Sequence, residues 1–136
     1  MTSIQIPKEV ATFIGERIGR FAVEAPAQLR WQASFVAEFG ALPLYLGWTE
    51  TIGIRPDGEI IRWSTEGEYS GSRPVEERAW IVAALVVGSR RYMELLPLVP
   101  VRSPYAVDCY QCQNHPWLAS GRVICGTCGG LGWLPQ

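Results

Sequence analysis

Residues 109–133, CYQCQNHPWLASGRVICGTCGGLGW, contain all four cysteines of the chain as two Cys-x-x-Cys pairs, with its one histidine, His115, between them. A two-residue gap lets both thiols of a pair face one point from a tight knuckle, and two knuckles complete a tetrahedral sulfur shell. Cys109, Cys112, Cys125 and Cys128 are therefore expected to hold one metal ion per chain. Zinc is the first expectation, and all-sulfur ligation also admits iron. The 12-residue spacer between the pairs suits a short hairpin and is too short for a helical domain. From Cys109 to the end is only 28 residues, too few to bury a core unaided. Structural zinc supplies on the order of 10 kcal/mol of apparent binding free energy, comparable with the net stability of a whole domain.

The preceding hundred residues must fold by burial. With 48% hydrophobic and 18% charged residues in 136, the chain can form one compact body with a small appendage, taken as a body over 1–100 and a zinc-binding module over 101–136. Its longest apolar run, Ala79 to Gly88, is ten residues, short of the roughly 18–20 needed to span a bilayer. The start, MTSIQIPKEV, has no basic segment followed by an apolar one. A cytoplasmic protein without a membrane partner is expected.

The periodicity predicts an α+β fold. Val10, Ile14, Ile18 and Phe21 follow Pro7 at helical spacing, giving a helix over 7–23. A second helix should run from Pro26 to Gly40, with Leu29, Ala33, Val36 and Phe39 on one face and Trp31 and Phe35 beside it. From residue 42 the period becomes two: Leu42, Leu44, Leu46, Trp48, Ile52 and Ile54 alternate with more polar or smaller residues, as one half-buried strand or two with a break near Glu50. Arg-Pro-Asp-Gly at 55–58 turns the chain into EIIRW, which predicts a β-hairpin. The polar stretch 64–73 reads as a loop, and Pro74 as the opening of a third helix with Glu76 and Glu77 at its start and Arg90 and Arg91 at its end. That helix is apolar all round, which predicts a central position. LLPLVP at 95–100 should cross the surface as an extended arm.

CGTCGGLG, residues 125–132, matches the Cys-x-x-Cys-x-Gly-x-Gly repeat and so resembles the cysteine-rich zinc domain of DnaJ-type co-chaperones, in which two repeats share a zinc. The first pair departs from that pattern, because Asn114 and Pro116 stand where the glycines should be, and the chain has neither four repeats nor a J-domain. The resemblance covers about 25 residues of the tail. It implies a fold for the zinc module more than an activity, as in small bacterial proteins whose tails end in a similar way.

Four sulfurs close the metal shell, whereas catalytic zinc keeps a position open for water or substrate. His115 is redundant as a ligand beside four thiols, and one histidine cannot build a multi-histidine hydrolase site. The chain lacks a Gly-x-Ser-x-Gly elbow and a phosphate-binding glycine loop, and Glu66 and Glu68 read as solvated loop carboxylates. No catalytic residues and no enzymatic activity are expected.

Four thiolates and a divalent ion take the formal charge from −1 to −3, which attracts no polyphosphate. Nucleic acid is thus disfavoured as a partner, although Tyr105, Tyr110, His115, Trp117 and Trp133 could stack unpaired bases, with Arg102 and Arg122 beside them. A thiol redox switch is the other alternative, since thiolates that lose zinc can oxidise. Six tryptophans in so short a chain point instead to binding another protein, or to a homodimer through an open sheet edge. The residues expected at such a surface are Tyr110, His115, Trp117 and Trp133, unless these aromatics fill the core or cover the knuckles. The favoured reading is a non-enzymatic adaptor or accessory protein with a structural zinc.

Overall fold

The computed structural model describes residues 4–24, 30–46, 50–64, 71–74, 78–113, 125 and 127–134. By contacts the chain forms two compact units, Met1–Val75 and Glu76–Gln136. The apolar third helix lies in the second of these units, together with the cysteine knuckles. No helix among the described residues is long and apolar enough to cross a membrane.

In the first unit, helix α1 (Lys8–Glu24) begins where Ala11 N–H donates to the Pro7 carbonyl at 3.0 Å. Val10, Ile14 and Phe21 form its buried stripe, with Ile18 half-buried between them. Helix α2 (Arg30–Phe39) ends at Gly40, whose φ of +61° lets its N–H reach back to the Val36 carbonyl at 2.8 Å. A glycine here terminates the helix without the penalty a side chain would incur in the left-handed region. The Arg55 Nε–H then donates to the freed Phe39 carbonyl at 2.9 Å, placing a cation at the negative helix end.

The expected hairpin is the middle of a larger sheet. Strands β1 (Leu42–Leu46), β2 (Glu50–Ile54), β3 (Ile60–Ser64) and β4 (Gly71–Pro74) form an antiparallel meander in that order. The apolar run does break before Glu50, making two strands, although Trp48 and its neighbours 47 and 49 lie outside the described residues. Part of the stretch read as a loop is β4, and Pro74 closes that strand opposite Ile61 rather than opening a helix. GSRP carries no apolar alternation, so its pairing is dictated by the neighbouring strand and not by its own pattern.

The strands are also not half-buried. Thr51, Ile52, Gly53 and Ile54 are all buried, so both sheet faces are covered. On one face Phe35 of α2 lies over Gly53, where an added Cβ would sit 2.7 Å from the ring and 2.9 Å from the Leu42 carbonyl oxygen. Only glycine admits this approach. Phe35, Ala41 and Ile61 form the buried core there, flanked by Phe39 and Trp63. Burying Phe35 contributes about 1.5–3 kcal/mol. In β1 the register slips between Pro43 and Tyr45, so Leu42, Pro43 and Leu44 are buried consecutively. That bulge defeats strict alternation, and as β1 is a sheet edge its Pro43 need not donate to a second partner strand.

In the second unit, helix α3 (Arg78–Arg91) buries Val82 through Val86 as well as Gly88 and Ser89. The expected Glu76 and Glu77 start lies outside the described residues; Arg90 and Arg91 do occupy the last turn. The following segment is not an extended arm: Met93–Leu98 is a 3-10 helix containing Pro97. The ring's fixed φ of about −65° is compatible with that conformation, which is why proline did not force an extended path. Leu95 is fully buried. The chain then reaches β5 (Val107–Asp108), which pairs antiparallel with β6 (Trp133–Leu134).

Candidate metal centre

The four cysteines converge. Their Sγ atoms all lie within 4.8 Å of one another and every one is buried. The Cys109 and Cys125 sulfurs are 3.7 Å apart, as are those of Cys112 and Cys128. A disulfide would need about 2.0 Å, and all four are free thiols. A regular tetrahedron with metal–sulfur bonds of about 2.3 Å has edges of about 3.8 Å, so the donor set fits one four-coordinate metal ion.

The two knuckles share two backbone features. Gln113 N–H donates to the Cys109 carbonyl at 2.8 Å, and Gly129 N–H to the Cys125 carbonyl at 3.0 Å. The residue after each second cysteine is left-handed, with φ +52° at Gln113 and +63° at Gly129. Each pair is therefore spanned by one backbone hydrogen bond and followed by a left-handed residue. Gln113 holds that conformation despite its side chain, at a cost of roughly 1–2 kcal/mol, as strained backbone does where its surroundings over-determine it.

The second knuckle continues through Gly130 at φ +94° and Gly132 at φ +85°. Gly132 N–H donates to Cys128 Sγ at 3.1 Å, and its carbonyl accepts from Cys109 N–H at 3.0 Å, tying the two knuckles together. Gly130 rests on α3: a Cβ there would be 2.6 Å from the Ala79 carbonyl oxygen, 3.2 Å from Ala83 N and 3.3 Å from Ala83 Cβ. The paired alanines and the glycine let two backbones meet. The repeat glycines thus serve both the turn and the docking of the knuckle.

Electrostatics also suit a cation. Burial, reinforced by the adjoining Cys128 thiol, pushes Cys112 up from 9.0 to about 12. Burial raises Cys128 as well, against backbone N–H bonds from Gly132 and Gly130. Burial opposes ionisation of Cys125 too, but the N–H groups of Cys128 and Thr127 outweigh it and bring that thiol down to about 7. Four buried sulfurs cannot all ionise beside one another unless a divalent ion neutralises them. Zinc and iron both meet that requirement.

The expected interaction residues divide. Tyr110, within the first knuckle, is 75% exposed. Trp133, on β6, is buried at 8% exposure and pairs with Asp108 of β5. His115 and Trp117 lie outside the described residues, as do Arg122, Glu66 and Glu68. Arg102 is committed locally, donating to the Asp108 carboxylate at 2.9 Å and the Ala106 carbonyl at 3.3 Å. Of the exposed residues Met93, Leu96, Val101, Tyr105 and Val107, sequence reasoning singled out Tyr105 alone, as a stacking face. Leu96 belongs to LLPLVP, which proline keeps out of a regular buried helix; the other four lie outside that segment. No protein-family model, curated protein or solved structure matches the chain.

Proposed function

We propose that the chain is a non-enzymatic cytoplasmic adaptor or accessory protein, in which a structural four-cysteine zinc centre fixes a surface that receives another protein. One observation carries this reading: among the described residues, the unit that buries all four thiols also exposes most of the large apolar side chains that remain in solvent, from Met93 through Tyr110. Closed thiolate ligation leaves a bound metal no open position for substrate. The likeness of CGTCGGLG to DnaJ-type zinc repeats agrees with a zinc-stapled module. The first knuckle's departure from the repeat limits that likeness to the metal-binding turn.

A second reading, binding of single-stranded RNA, draws on the exposure of Tyr105 and Tyr110, which are 77% and 75% exposed and could stack bases. The engagement of Arg102 by Asp108 weighs against it. Titration of the metal-loaded chain with single-stranded RNA at two salt concentrations separates the readings. The adaptor reading expects no retained RNA and expects stoichiometric, nuclease-resistant recovery of a protein partner from cell extract. Tight, salt-sensitive RNA binding would contradict it.

A further inference from the structure

Cysteine ligands bind a metal as thiolates, so in the loaded centre the four sulfurs differ by access and hydrogen bonding and no longer by ionisation. Access divides them across the knuckles. Cys109 and Cys125 are 1% and 0% exposed, whereas Cys112 and Cys128 are 7% exposed each. The second cysteine of each pair thus lies on the outer side of the centre.

Hydrogen bonding then divides the outer two. Gly132 N–H, four residues beyond Cys128, donates to its Sγ at 3.1 Å, and Gly130 N–H adds a second bond. Four residues beyond Cys112 stands Pro116, which lies outside the described residues but has no N–H to give in any conformation. Among the described residues, the partners of Cys112 Sγ are the other thiols, and no backbone N–H reaches it. The two knuckles share their closing bond and their left-handed residue, so the missing donor sets them apart at this sulfur.

An N–H bond to a thiolate draws its strength from the charge on sulfur. That charge disappears as sulfur forms a bond to carbon, and each N–H bond weakens with it. A sulfur that holds such bonds therefore meets the higher barrier, and outer-shell partners tune ligand reactivity in this way.

We propose that Cys112 is the labile ligand of the metal centre, the modification site at which an electrophilic carbon is attacked first. In that step a lone pair of Cys112 Sγ forms the S–C bond, and the leaving group departs with the electrons of the bond it held to carbon. The product is a neutral thioether, a weaker donor than a thiolate. Cys109, Cys125 and Cys128 are then left as a three-sulfur set with one position open, and a closed structural centre has become an open one. The inference requires the four-thiol centre and is independent of the adaptor function.

The test is alkylation of the zinc-loaded full chain with less than one equivalent of iodoacetamide, which releases iodide. Unreacted thiols are then capped with N-ethylmaleimide after unfolding. Trypsin, cutting after Arg102 and Arg122, separates the fragment holding Cys109 and Cys112 from the one holding Cys125 and Cys128, and tandem mass spectrometry assigns the label within each. Cys112 should carry most of the carbamidomethyl group, and zinc captured by a chromophoric chelator should rise in step with that label. Pro116→Gly, which restores an N–H at this position, should slow Cys112 labelling roughly threefold or more, with one zinc per chain verified by elemental analysis. Labelling led by any other cysteine or spread evenly would overturn the proposal, and the unmodified chain alone decides this if the variant fails to fold. Zinc release that precedes labelling, an unchanged rate in a folded Pro116→Gly, or a purified chain that holds no metal would overturn it as well.

Discussion

Gly130→Ala probes the union of the metal centre with α3. The added methyl meets the Ala79 carbonyl oxygen at 2.6 Å and Ala83 N at 3.2 Å, on a backbone whose φ is +94°. The conformation costs about 1–2 kcal/mol for an L-residue, and forcing a methyl into packed backbone about 1–3 kcal/mol more. Gly129→Ala is the internal control: its φ is +63°, and nothing lies within 4 Å of the new Cβ, so it incurs only the conformational cost. The difference between the two variants, about 1–3 kcal/mol, isolates docking on the helix. Competition for zinc with a chromophoric chelator reads this as a roughly 5–150-fold further loss of affinity for Gly130→Ala. Equal affinities in the two variants would refute the claim that the knuckle is seated on α3.

The thiols predict two pH limits for the metal-free fold. Cys112, raised from 9.0 to about 12, contributes stability that is present below pH 9 and lost as the pH climbs through 12. Cys125, lowered from 9.0 to about 7, contributes stability present above pH 9 and lost as the pH falls through 7; urea midpoints across that range check both signs. Mass mapping of brief iodoacetamide treatment of metal-free protein near neutral pH should find Cys125 labelled before Cys112, the order of their thiolate fractions. At the other unit, Arg55→Ala should cost about 1–2 kcal/mol in urea denaturation by freeing the Phe39 carbonyl at the end of α2. Glu59→Gln, which removes only the partly exposed ion pair at 3.1 Å, should cost about 0.5 kcal/mol or less.

What was legible in the sequence was what a local pattern encodes. Val10, Ile14 and Phe21 repeat at the helical period because one stripe of α1 is buried, and Gly40 marks the end of α2 because its left-handed φ is a local requirement. The cysteine spacing is local too, since each pair is spanned by one backbone hydrogen bond. Strand β4 was hidden because GSRP gains its structure from pairing with β3. The bulge at Leu44 and burial on both sheet faces were hidden for the same reason, being consequences of what packs on the strands. At the metal centre the ligands could be read directly. Gly130 on Ala79 and Ala83, by contrast, is a contact between residues far apart in the chain, and its sole trace in the sequence is a glycine more than a turn strictly needs.

X-ray absorption at the metal edge of the purified protein decides whether the four thiols form a closed structural centre. One metal per chain, surrounded by four sulfur scatterers at about 2.3 Å with no nitrogen or oxygen neighbour, is the predicted result. A shell of fewer than four sulfurs completed by nitrogen or oxygen would contradict it, because the centre would then have an open or histidine-filled position and could no longer be a closed structural staple.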